Sequence, residues 1–153
     1  MSSFTENLIV SPLNNGKEWI VRKEFYYEIR YKGSSWDYSG NFVKEIPKNR
    51  VTIPPGFVTD FCSSIPMVWS IIPKWDKYGK ATVVHDYLYF TKEVSRKEAD
   101  DIFYECMLVL GVKKWKAKAM YWAVRLFGKS SYKKSDRYII EPLDGYVQCS
   151  RIE

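Results

Sequence analysis

The chain has one histidine, three cysteines and no long apolar run, and each scarcity closes off a class of protein. With a single histidine among 153 residues, any imidazole chemistry must pass through His85. Cys62, Cys106 and Cys149 are an odd set without Cys-x-x-Cys spacing. They argue against a disulfide scaffold and a structural zinc knot, and for folding in a reducing cytoplasm. No stretch of about 18 apolar residues occurs, so no transmembrane segment is expected. The opening MSSFTENLIVSPLNNG has neither a basic n-region nor an apolar h-region, so no secretory signal is expected. Internal repeats and low-complexity tracts are absent.

What remains has an ordinary globular balance, 46% apolar and 27% charged, in a length that suits one domain with one core. The aromatic share is high, with twelve Tyr and six Trp, residues that fill cores and also supply contact surface at interfaces and membrane boundaries. The charge is uneven. Residues 113–137 hold nine basic groups against Asp136, a net +8, which leaves −2 for the rest of a +6 chain. Such a face suits anionic lipid or nucleic acid, and equally a solvated helix face with a basic tail.

The single domain divides into a β-rich part (1–66), a helical part (77–128) and a basic tail (129–153). Glu18–Val21, Phe25–Tyr31, Asn41–Ile46, Arg50–Ile53 and Phe57–Phe61 are aromatic and β-branched runs punctuated by Lys32-Gly33-Ser34-Ser35, Pro47-Lys48-Asn49 and Pro54-Pro55-Gly56. They predict a small antiparallel sheet. Residues 81–90 are apolar in nearly every direction around a helical wheel, which predicts a buried helix. Ser95-Arg96-Lys97-Glu98 is a capping box and Gly111 a terminator, so a second helix spans 95–111. Its apolar face carries Ala99, Ile102, Phe103, Cys106, Met107, Val109 and Leu110. A third helix runs from Lys114 to Phe127 with Gly128 as its stop. Trp115, Ala119, Trp122, Ala123 and Leu126 recur on it at helical spacing, which predicts its core face. One further strand is expected at Tyr146–Cys149. The fold expected is α+β, the sheet first and a three-helix layer after it.

The link Thr91–Val94 is short enough to make the first two helices antiparallel neighbours. His85 lies five residues before that turn and Asp100 five after it, roughly 7.5 Å along each axis, so they should meet at one height. Tyr89 is one turn beyond His85 on the same face and within reach of Asp100. The carboxylate would fix the imidazole tautomer and leave the other nitrogen as a base. The same geometry also describes a core histidine that ties two helices together. Asp86 is turned about 100° from His85 and should face Thr59–Pro66. There, Asp86, Asp60 and loop carbonyls would suit a hard cation such as calcium.

The segments GFVTDFCSSIP, KYGKATVVHDYLY, VSRKEADDIF and MYWAVRLFG, in that order, resemble a family of small bacteriophage and prophage proteins, the domain-of-unknown-function family 1353. The resemblance covers roughly residues 50–130. It implies a phage origin near late or tail genes, and it implies no activity. A shorter match, HDYLY with Asp100, is similar to the secreted and parvoviral phospholipase A2 pattern of H-D-x-x-Y on one helix and Asp on its antiparallel partner. That likeness implies His85 as the base that activates water, Asp86 as a calcium ligand, and Asp100 with Tyr89 as orienting groups. Ala99, Asp100 and Phe103 match the parvoviral A-D-x-x-F form. The glycine-rich calcium loop of phospholipases is missing, since Thr59–Pro66 contains no glycine, and so are the disulfides. Asp60 would then supply charge that carbonyls supply elsewhere.

Three functions compete on these residues. The first is a metal-dependent, phospholipase-like hydrolase whose surface Lys113, Lys114, Trp115, Lys116 and Lys118 docks on anionic lipid. The second is a non-enzymatic virion component of tail or baseplate. The third, nucleic-acid binding through residues 113–137, lacks a helix-turn-helix or zinc motif. Synthesis in the host cytoplasm and association with the virion are the expected locations.

Overall fold

The computed structural model describes residues 3–4, 7–13, 16–29, 50–61, 77–133 and 139–140, and the backbone of 142–143 and 146–147. The strand expected at Asn41–Ile46, the turn at Lys32–Ser35 and the segment Cys62–Pro66 lie outside these residues. The order of elements is β1 (Ser3–Phe4), β2 (Val10–Pro12), β3 (Trp19–Val21), β4 (Phe25–Glu28), β5 (Arg50–Ile53), β6 (Val58–Thr59), α1 (Gly79–Thr91), α2 (Arg96–Val109), α3 (Lys114–Phe127), α4 (Lys129–Lys133), β7 (Pro142–Leu143) and β8 (Tyr146–Val147). This is the α+β arrangement expected, with small antiparallel sheets first and helices after them.

The strands sort into two three-stranded sheets, ordered β1-β4-β5 and β2-β3-β6, and a β7-β8 hairpin, all antiparallel. In the first sheet, Phe25 pairs with Ile53 and Tyr27 with Val51. All four are buried while their strand neighbours face outward, the two-residue alternation that sends one face to a core. Tyr27 then reaches across to α2, its hydroxyl donating to Glu105 Oε1 at 2.6 Å. The second sheet sets β6 beside α1 and closes its own small cluster of Ile20, Val58 and Ile140. Gly56 makes that closure possible. Its φ is +90° and the Ile140 carbonyl lies where a Cβ would stand, so a side chain there would be both strained and obstructed.

Helix α1 is buried at eight of its thirteen residues, as its all-round apolar wheel predicts. Helix α2 begins on the expected capping box, with both reciprocal Ser95–Glu98 bonds formed. It ends in a Schellman motif: Val112 N–H donates to Met107 and Gly111 N–H to Leu108, with Gly111 at φ +77°. Helix α2 packs against both α1 and α3. Its core face is as expected except at Val109, which is exposed.

Helix α3 has the expected bounds and the opposite orientation. Ala117, Met120 and Val124 are its buried residues. Trp115, Trp122 and Leu126, read from the sequence as core, are 63%, 59% and 68% exposed, Ala119 is exposed, and Ala123 is half-buried. Two apolar stripes share this helix at the same period, and the slimmer one fits the groove beside α2. Gly128 is the C-cap, the stop expected. It holds a right-handed φ of −73° and the chain continues into α4. A Cβ on Gly128 would meet the Val124 carbonyl and lie 2.9 Å from the Tyr89 hydroxyl, so the glycine serves close packing.

Candidate active site

The site is built on the seam between α1 and α2. His85 is 2% exposed and Asp100 is fully buried. The His85 Nε2 lies 2.8 Å from Asp100 Oδ1. The hydroxyl of Tyr89, one turn along α1, donates to the same oxygen at 2.6 Å. The sequence therefore placed these three residues together, and the structure joins them. The imidazole is held between the rings of Tyr89 and Phe103, at centroid distances of 4.1 and 4.7 Å. Tyr89 is braced in turn by the edge of Tyr132 from α4 at 5.1 Å.

The residue that sequence reasoning missed is Arg125. Its Nη1 donates to Asp100 Oδ2 at 2.9 Å from helix α3. In the sequence it is one of nine cations in a basic stretch. One signal was available: positions three and four residues away on its own helix are Tyr121, Trp122, Gly128 and Lys129, none acidic, so a local ion pair was excluded. Asp100 thus takes bonds from three side chains on the two helices that flank its own. Burial pushes its carboxyl up, but the bonds from His85, Tyr89 and Arg125 outweigh that and hold it below the ordinary carboxylate range. The Asp100 bond raises the Arg125 guanidinium in return. Arg125 supplies a positive charge beside the same carboxylate, and the contact with Asp100 is made through the Nε2 side of the imidazole.

Helices α2 and α3 are fixed relative to one another by further bonds. Arg96, at the start of α2, donates to the carbonyls of Val124 and Arg125 near the end of α3, at 3.4 and 3.1 Å, a cation placed where a helix terminus is negative. Asp101 faces outward and accepts from Lys97 and Tyr121.

Asp86 faces the other way, toward β6, as its rotation predicts. The group it meets is Thr59, whose hydroxyl donates to Asp86 Oδ2 at 2.5 Å and accepts the Phe61 amide at 3.1 Å. Phe61 itself is left-handed, with φ +52°. Asp60 sits between these two residues in the chain. Among the described residues no group of three or more His, Cys, Asp or Glu is arranged around a metal position. Of the basic surface, Lys113, Lys114, Trp115 and Lys118 are exposed, while Lys116 is half-buried with its Nζ 5.3 Å over the Tyr78 ring.

A family model described as "Protein of unknown function (DUF1353)" matches residues 36–124, and the chain belongs to that family. His85, Asp86, Tyr89 and Asp100 all fall inside the matched region, and Arg125 lies one residue past its end. Two proteins of Sinorhizobium fredii (strain NBRC 101917 / NGR234) are similar. "Uncharacterized protein y4jT" is 44% identical over 78 residues, covering 50% of this chain and 23% of its own length. "Uncharacterized protein y4iH" is 30% identical over 109 residues, covering 71% of this chain and 40% of its own. The chain therefore spans well under half the length of these relatives. No solved structure matches it significantly. Among the described residues no helix is long and apolar enough to cross a membrane.

Proposed function

We propose that this is a hydrolase site in a phage-derived protein, with His85 as the general base and an ester of phospholipid type as substrate. One observation carries the reading: Asp100 accepts from His85 Nε2 while Arg125 neutralises it. A buried tie between helices needs only the bond. A base gains from a carboxylate that orients the ring and from a cation that balances that carboxylate, and Asp100 with Arg125 supports the reading. Asp100, Tyr89 and Arg125 are then positioning residues, and Nδ1 would take the proton from water as it attacks the ester carbonyl. Asp86 and Asp60 are oxygen donors of the hard type and would hold a calcium ion. When bound, such a cation would polarise the carbonyl of the substrate.

The test is release of fatty acid from vesicles containing anionic phospholipid, with calcium and with chelator, comparing the parent protein with His85→Asn. The expected result is calcium-dependent release that falls by about 10²–10⁴ in the variant, with unfolding stability reduced by only about 1–3 kcal/mol for the altered buried bond. Release that persists with chelator would remove the metal and keep the base. No release from either protein, together with its recovery in purified phage particles, would overturn the reading in favour of a non-enzymatic tail or baseplate component.

A further inference from the structure

We propose that the outward face of α3 seats this protein on an anionic lipid surface. Trp115, Ala119, Trp122 and Leu126 fall on one stripe at spacings of four, three and four. That stripe lies opposite the buried Ala117, Met120 and Val124. Its three large side chains and the neighbouring Phe127 are each more than half exposed. An exposed patch of two indoles, a leucine and a phenylalanine on one short helix marks an interaction site rather than scattered surface apolarity.

The charge around the stripe selects the occupant. Lys114 and Lys118 are exposed along one flank, Lys113 stands at the N-terminal end, and Lys129 and Lys133 are exposed beyond the C-terminal end. From residue 113 to residue 133 there are seven basic residues and no acidic one. The cations rim the patch and the apolar groups hold its centre. This is the layout of a helix lying in a bilayer interface, with indoles at headgroup depth and lysine stems bent outward to phosphates. A nucleic-acid face would put its cations at the centre. A second copy of the same face would bring two sets of like charge together. The docking stands apart from catalysis, although α3 also carries Arg125 and so joins the surface to the Asp100 network.

The test is sedimentation of the His85→Asn protein, in chelator, with vesicles of phosphatidylcholine alone or mixed with phosphatidylglycerol. Turnover thus plays no part, and failed hydrolysis leaves the result intact. Binding to the anionic vesicles should exceed binding to neutral ones by about tenfold or more, weaken with salt, and shift indole emission to the blue. Trp115→Ser/Trp122→Ser should lose that binding by about tenfold or more while melting at an unchanged temperature. Lys114→Glu/Lys118→Glu should lose the anionic preference. Equal binding to both vesicles, no binding to either, or full binding by the tryptophan variant would overturn the proposal. So would concentration-dependent dimers that the tryptophan variant abolishes, or tighter retention on single-stranded DNA than on the vesicles.

Discussion

The seam between α1 and α2 and the outer face of α3 reverse the usual division between inside and outside. The seam buries an imidazole and a carboxylate, and the outer face exposes two indoles. The seam tolerates its polarity because both oxygens of Asp100 accept bonds, from three side chains. Among the described residues the large side chains of the outer face stay more than half exposed. A buried polar group is explained by its hydrogen bonds, whereas an exposed apolar stripe points to something outside the chain. The two regions are fastened to each other, since Arg125 lies in the same helix as the exposed tryptophans.

The largest effect is expected at Asp100. Replacing it with Ala leaves Arg125, His85 and Tyr89 without their common acceptor. Urea unfolding at neutral pH should show a loss of about 3–5 kcal/mol. A loss under about 1 kcal/mol would mean that the seam is held by its apolar contacts alone. The same residue sets a pH signature. Its folded carboxyl lies below the ordinary 3.8, so its contribution is fully present above that value and is lost as pH falls from there through the folded value. The urea midpoint of the parent should therefore drop below about pH 3.8, and Asp100→Asn should flatten the drop. A smaller effect is expected from Gly128→Ala, whose methyl would press on the Val124 carbonyl and the Tyr89 hydroxyl. Thermal melts should place it about 1–3 kcal/mol below the parent. A neutral result would show that α4 can slide away from Tyr89. The smallest effect sharpens the other side: Trp122→Ser should change stability by no more than about 0.5 kcal/mol. A loss typical of a buried tryptophan would return that side chain to the core.

The sequence disclosed the helices and half of the site, for local reasons. The capping box and Gly111 act within one turn of the chain, and the His85–Asp100 meeting follows from a short link and a fixed rise per residue. Arg125 was hidden because its partner is 25 residues away and no periodicity encodes that distance. The buried face of α3 was misread for a different reason. Trp115, Trp122 and Leu126 repeat with the same period as Ala117, Met120 and Val124, and hydropathy favours the bulkier set. Only the width of the groove beside α2 decides between them. The sheets suffered from the same lack of range. Phe25 and Val51 announce buried strand positions by alternation, yet nothing local says that β4 lies between β1 and β5 while β3 lies between β2 and β6.

The spacing of the polar cluster also bears on how the chain reaches its native state. His85 and Asp100 close a span of 15 residues, while the Tyr27–Glu105 bond that docks the first sheet spans 78. Closing the longer span costs more chain entropy before any contact rewards it. By this measure the helical hairpin closes around its carboxylate at a lower entropic cost than the contact that docks the first sheet upon it.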